Sequence, residues 1–157
     1  MTPGTYTTEV VCIEKVERDT PRAGELLRFI EECSWEEAKD HLADLVRRWD
    51  FTGDEAVFAA VADGRIVGMA TFLMTDYYPL PEIFPWVSSV FVDEAYRGRR
   101  ISGLLIGRAN AYAGSRGYGR TYIPSSFFGL YEKYGYRYLR DIVNYGGETD
   151  HLFVKKL

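Results

Sequence analysis

Histidine and cysteine are scarce in this sequence, with two of each among 157 residues. Cys12 and Cys33 cannot build a disulfide framework, and neither stands at a metal-ligand spacing. His41 and His151 are far apart in the chain, which leaves no candidate zinc site and no expected metal. Cys12 alternates within a strand-like run and is expected in the core. Long apolar runs are missing, so no segment reads as a membrane span, and the polar start Met1-Thr2-Pro3-Gly4-Thr5 does not read as a signal peptide. The expectation is a soluble, cytoplasmic protein. Positive charge is not in excess: 19 Lys and Arg stand against 23 Asp and Glu, a net charge of −4 that argues against a nucleic-acid partner. The glycine pattern of dinucleotide-binding turns is missing, as is the Gly-Lys-Ser/Thr of the P-loop. With no repeat, linker or low-complexity stretch, residues 1–157 read as one domain.

What the sequence does have is a basic turn between a strand and a helix. Trp86 to Val92 is short, β-branched and apolar, as a buried strand requires, while Ile101, Leu104, Leu105, Ala109 and Tyr112 recur at helical spacing. Between them lies Tyr96-Arg97-Gly98-Arg99-Arg100. The first turn of such a helix leaves backbone N–H groups unpaired at the positive end of the macrodipole, a natural phosphate site. Three arginines stand beside it, and Gly98 and Gly103 are expected to let an anion approach the backbone. A local basic patch in an acidic protein suits a small polyanion better than a duplex.

Along the chain, Tyr6 to Val16 reads as a strand and Thr20-Pro21 as a helix start. Ser34 with Glu37 forms a second helix start of the capping-box type, followed by an apolar face of Trp35, Ala38, Leu42, Leu45 and Trp49. Ala56 to Ala62 and Ile66 to Thr75 are strands joined through Asp63-Gly64, a two-residue hairpin signal. Residues 76–85 carry three prolines and several aromatics, so they form an irregular loop leading into the Trp86 strand. A short strand at Thr121 to Ile123 follows the basic-turn helix, then a short helix from Phe127 to Tyr134 ended by Gly135. Strands Tyr136 to Tyr145 and Leu152 to Lys156 close the chain through Gly146-Gly147. The order predicts an α/β (α+β) fold: a mixed sheet with helices on both faces, antiparallel hairpins, and a parallel pair across the basic turn.

Two blocks carry a resemblance. Val90-Phe91-Val92-Asp93-Glu94-Ala95-Tyr96-Arg97-Gly98-Arg99-Arg100-Ile101-Ser102 resembles the acyl-CoA motif Arg/Gln-x-x-Gly-x-Gly/Ala of the GNAT superfamily of acyl-CoA-dependent N-acyltransferases. Leu130-Tyr131-Glu132-Lys133-Tyr134-Gly135-Tyr136 resembles the same family's later Tyr-Glu-Lys-x-Gly-Phe/Tyr block. The resemblance implies a mostly antiparallel sheet with a splayed parallel strand pair, and acetyl-CoA as acyl donor to a primary amine of a small-molecule acceptor in a ternary complex. It assigns pyrophosphate binding to Arg97, Gly98, Arg99, Arg100, Ile101, Ser102 and Gly103. Pantetheine alignment goes to the backbone of Val90, Phe91 and Val92, with a strand bulge expected at Ser89-Val90. Arg100 and Ser102 stand where the family has glycine or alanine, which non-glycine residues tolerate if the turn needs no positive φ. Pro124-Ser125-Ser126 replaces an asparagine often found in the family.

On this resemblance Tyr131 is the general acid, since a phenol of pKa about 10 can donate to a thiolate whose conjugate acid lies near about 8.5. Glu82 is the candidate base, with Asp76 the other carboxylate of the loop and Ser88 or Ser89 available to orient a water. Tyr77, Tyr78 and Trp86 are expected to meet a cationic or aromatic amine. The alternative reading is a catalytically silent acyl-CoA-binding sensor or interaction module. A homodimer through Tyr136, Tyr138, Tyr145 and Phe153 is a further expectation.

Overall fold

A computed structural model describes residues 10–157. Its elements run β1 (Cys12–Lys15), α1 (Pro21–Glu32), α2 (Lys39–Arg48), β2 (Ala56–Ala62), β3 (Arg65–Leu73), β4 (Trp86–Val92), α3 (Ile101–Ser115), β5 (Arg120–Ser125), β6 (Arg137–Val143) and β7 (Thr149–Lys156). One-turn 3₁₀ segments occupy Glu94–Tyr96 and Tyr131–Tyr134. The seven strands form one sheet in the order β1-β2-β3-β4-β5-β7-β6. Among its strand pairs, β4 and β5 are parallel and the others antiparallel. The expected fold class stands. No helix among the described residues is long and apolar enough to cross a membrane.

The strands' alternation places helices on both faces. On one face α3 buries Ile101, Leu105, Ile106, Ala109 and Ala113 against Phe58, Phe72, Val87, Ile123 and Phe153. On the other, Leu26 and Ile30 of α1 and Leu42 and Val46 of α2 cover Val57, Ala59 and Met69. Over β4, β5 and β7 that second face is covered by the loop 76–85: Ile83, Tyr78 and Leu80 pack on Trp86, Tyr122, Leu152 and Val154. Asp63 and Gly64 both take positive φ (53° and 75°), as the two-residue hairpin between β2 and β3 demands.

Several boundaries differ from expectation, each for a local reason. The expected first strand begins in residues outside those described, and its described part is Cys12–Lys15. Val11 and Ile13 turn toward the α3 core, so Cys12 faces out and is exposed on the edge strand, not in the core. The Ser34 capping box does not form: the Ser34 hydroxyl donates to Glu94 at 2.8 Å, and α2 starts at Lys39 with no side-chain cap. Trp35 is drawn onto Phe91 instead, rings 6.2 Å apart and nearly parallel. The expected helix at Phe127 shrinks to Tyr131–Tyr134, closed by Gly135 at φ 91°. Leu104, placed on the apolar stripe of α3 by spacing, is 48 % exposed, and Ile106 takes its place inside. Tyr136 and Phe153 are core residues, which leaves Tyr138 and Tyr145 as the exposed members of the expected dimer surface.

A buried polar cluster fixes α3 to the sheet. Thr121 Oγ1 on β5 donates to Asn110 Oδ1 at 2.6 Å and lies 2.7 Å from the Tyr136 hydroxyl, to which Asn110 Nδ2 donates at 3.1 Å. Removing one member leaves buried partners unsatisfied, at about 1–3 kcal/mol each. Asn110→Leu is therefore expected to lower the urea unfolding free energy by about 2 kcal/mol, read from the shift in midpoint at unchanged slope.

Candidate active site

Strand β4 holds one residue more than its neighbour can match. Met69 pairs with Phe91 but Thr71 pairs with Ser88, so three steps on β4 face two on β3. The surplus is taken up at Ser89, whose φ is 52°. This is the bulge expected at Ser89-Val90, and it reverses the alternation beyond it. Trp86 and Ser88 face the loop side; past the bulge Phe91 takes that side, stacked with Trp35 and Phe29, while Val90 and Val92 join the α3 core. Thr71, fully buried, steadies the bend by donating to the Ser88 carbonyl at 2.9 Å.

The same bend parts β4 from β5. Their pairing is recorded at Trp86 and Tyr122 alone, and the ladder goes no further. Past Trp86 the β5-facing backbone of β4, that of Val90 and Val92, therefore has no strand partner, an open stretch inside the sheet where the Val92 carbonyl accepts from Arg97. A cavity of about 360 Å³ adjoins this stretch, lined by Ser34, Trp35, Val90, Phe91, Glu94 and Arg97.

The basic turn follows. Asp93 caps the 3₁₀ segment by accepting the Ala95 amide at 3.1 Å. Tyr96 is buried, its hydroxyl tied to Asp63 and Arg65 of the β2–β3 hairpin at 3.2 and 3.1 Å. Arg97 donates to the Val92 carbonyl at 3.1 Å and lies over Phe91, and Arg99 lies over Tyr96 at 4.9 Å from the ring centre. Gly98 has φ 79° and Arg100 has φ 60°. The turn thus does require a positive φ at Arg100, contrary to the condition under which a non-glycine residue is free of cost. Arg100 is the N-cap of α3 and makes no side-chain cap bond; the first helical bond runs from Leu104 N to Arg100 O. Among the described residues the amides of Ile101, Ser102 and Gly103 accordingly have no backbone acceptor, a ready anion cradle. Gly103 serves a different purpose from the one its sequence position suggested. A Cβ there would stand 2.5 Å from the Tyr134 ring, so glycine makes room for Tyr134, whose hydroxyl lies 3.2 Å from Ser102 Oγ.

Tyr131 packs edge-on against Tyr136 and Phe153. Burial, with Tyr136 and Tyr134 nearby, pushes its pKa up to about 12. Its ring is partly buried, and its hydroxyl bonds to no group among the described residues.

The loop residues separate. Tyr77 is 58 % exposed and lies 5.6 Å from Tyr145. Tyr78 stacks on Trp86, and its hydroxyl donates to Asp150 at 2.7 Å; burial and this carboxylate raise its pKa. Trp86 is 1 % exposed, with Nε1 donating to Ile83 O, so its ring is core and the residues above it meet solvent. Glu82 is exposed at the loop's far end, 3.9 Å from Arg140. Asp76 accepts the amide of Tyr77 at 2.7 Å, and burial raises its pKa.

The family model of the GNAT acetyltransferases matches residues 22–136. The chain belongs to the GNAT acetyltransferase family. Solved structures agree in fold. An aminoglycoside 6′-acetyltransferase of type Ii superposes with TM-score 0.73 at 21 % identity, over 92 % of this chain and 96 % of that one. An aminoglycoside 6′-N-acetyltransferase complexed with coenzyme A gives TM-score 0.70 at 17 % identity, over 92 % and 96 %. An acetyltransferase from Streptococcus agalactiae gives 0.69 at 18 %, over 94 % and 98 %. No curated protein matches the chain in sequence. The family uses acetyl-CoA as acyl donor, and the unpaired edge of β4 and the free amides of α3 fit such a molecule.

Left-handed backbone costs a residue with a Cβ about 1–2 kcal/mol. Arg100→Gly is expected to raise the unfolding free energy by about 1 kcal/mol, while Arg100→Ala, which removes the charge and keeps the Cβ, leaves it unchanged. Urea titrations of the two variants without ligand separate backbone strain from charge.

Proposed function

We propose that this protein is an N-acetyltransferase that moves an acetyl group from acetyl-CoA to a primary amine of a small-molecule acceptor, by direct attack within a ternary complex. The observation that carries this reading is the parting of β4 from β5 at the Ser89 bulge, beside an uncapped helix N-terminus. The open backbone edge of Val90 and Val92 suits the amides of a pantetheine arm and can polarise a thioester carbonyl. The amides at the start of α3, with Gly98, Arg97, Arg99 and Arg100 around them, suit a pyrophosphate.

Tyr131 is the proposed proton donor to the departing thiolate. The raised pKa keeps its phenol protonated throughout the neutral range, so the acid is always loaded. The acceptor side is the mouth formed by Tyr77, Tyr78 and the loop they belong to. Solved relatives acting on aminoglycosides place that class, with polyamines and simple alkylamines, in the first acceptor panel.

Calorimetric titration is expected to show acetyl-CoA binding in the micromolar range, and its failure would remove the reading. Tyr131→Phe is expected to bind acetyl-CoA as the wild type does while losing about 10²-fold in kcat, the usual worth of a positioned acid. A variant with full turnover would take Tyr131 out of the chemistry, whereas binding without turnover on any amine would favour the silent sensor.

A further inference from the structure

Strand β5 lies inside the sheet, between β4 and β7, and yet it carries a proline, Pro124. Proline has no N–H to give a ladder, so in sheets it belongs on an edge strand or at a bulge. On the β7 side Pro124 causes no break. The register runs evenly from Arg120↔Lys156 to Ser125↔His151, with Pro124 opposite Leu152. The strand continues past the proline, so Pro124 is not there to end it.

The β4 side is different. The Tyr122 amide faces β4 and donates to the Pro85 carbonyl at 3.0 Å. Backbone groups alternate sides along a strand, so the nitrogen of residue 124 faces β4 as well. The bridge between Trp86 and Tyr122 fixes what would come next. In a parallel ladder the following bond would run from the amide of residue 124 to the carbonyl of Val87, just before the bulge at Ser89. Proline has no such amide. The ladder is thus stopped from both strands at one level: Ser89 bends β4 away, and Pro124 withholds the donor on β5. The Pro124 carbonyl remains, so here the β5 edge can accept a hydrogen bond but not give one.

We propose that Pro124 is a positioning residue for the acyl donor: by denying β4 its next ladder bond, it holds the opening between β4 and β5 ready for the pantetheine arm. The proposal rests on the acetyltransferase reading above. A residue with an N–H at this position would pair with Val87 in the ligand-free protein, and the donor would have to break that bond on entering. With proline the opening is preformed, and binding is spared that step. The ligand group that lies beside the Pro124 carbonyl is then an N–H, which each pantetheine amide carries.

The test compares Pro124→Ala with a variant that carries lactic acid at position 124, built by nonsense suppression. Lactic acid has the side chain of alanine and an ester oxygen in place of the N–H, so the two variants differ in one donor. Amide hydrogen exchange is measured on ligand-free Pro124→Ala, and all three proteins are titrated with acetyl-CoA in the calorimeter. The introduced amide is expected to exchange about 10²-fold more slowly than a free peptide amide. Acetyl-CoA is expected to bind Pro124→Ala about fivefold more weakly than the wild type, the net worth of one backbone hydrogen bond. The lactic acid variant is expected to bind as the wild type does. A fall in urea midpoint shared by both variants comes from loss of the ring and leaves their comparison intact. An introduced amide that exchanges freely, wild-type affinity in Pro124→Ala, or equal weakening in both variants overturns the proposal. If the wild type itself does not bind acetyl-CoA, the acetyltransferase reading falls, and the exchange of the introduced amide alone decides whether Pro124 keeps the strands apart.

Discussion

One surplus residue in a seven-residue strand sets the geometry on which the rest depends. Without the bulge at Ser89, β4 would continue its alternation, Val90 and Val92 would face the α1–α2 layer, and Phe91 would be driven into α3. With it, the two valines seal the α3 core and Phe91 joins Phe29 and Trp35 on the opposite face. The bend that reverses the alternation also turns the strand away from β5. A central sheet normally has no free backbone edge; here it has one in its middle, walled by apolar side chains. The hydroxyl of Thr71 makes the distortion tolerable because it gives the displaced Ser88 carbonyl a polar partner in a dry place, with the Ser88 hydroxyl 3.0 Å from the same Thr71 oxygen.

The second constraint is the position of α3. Its N-terminus must stay uncapped and open, so its stability comes from elsewhere along its length: the apolar stripe from Ile101 to Ala113, and the Asn110–Thr121–Tyr136 cluster halfway down. Tyr136 belongs to both the cluster and the turn that carries Tyr131, so one buried hydroxyl network sets the distance between the anion cradle and the proposed acid. Tyr134 closes the arrangement by lying against Gly103. The left-handed backbone of Arg100 is the part of this design that is strained, and the surrounding packing overrides it.

The elements legible in the sequence were those with a local cause. Thr20-Pro21 starts α1, Asp63-Gly64 turns the hairpin, and the short apolar run Ala56 to Ala62, bounded by that turn, is a strand. The first motif block was legible because a close turn into a helix N-terminus leaves a glycine-and-arginine trace; the second was legible only through its resemblance to the family's Tyr-Glu-Lys-x-Gly-Phe/Tyr block. What could not be read depends on contacts between distant residues. Ser34 has a perfect partner for a capping box at Glu37, yet Glu94, sixty residues on, competes for its hydroxyl and wins. Trp86 has the composition of a binding residue, but Tyr78 lies flat upon it. Asn110, a polar residue on the buried stripe of α3, has its partners on β5 and at Tyr136, far from it in the chain. Glu82 and Asp76 have the same chemistry a few residues apart; the fold of the loop alone sets Glu82 beside Arg140 and turns Asp76 onto the amide of Tyr77.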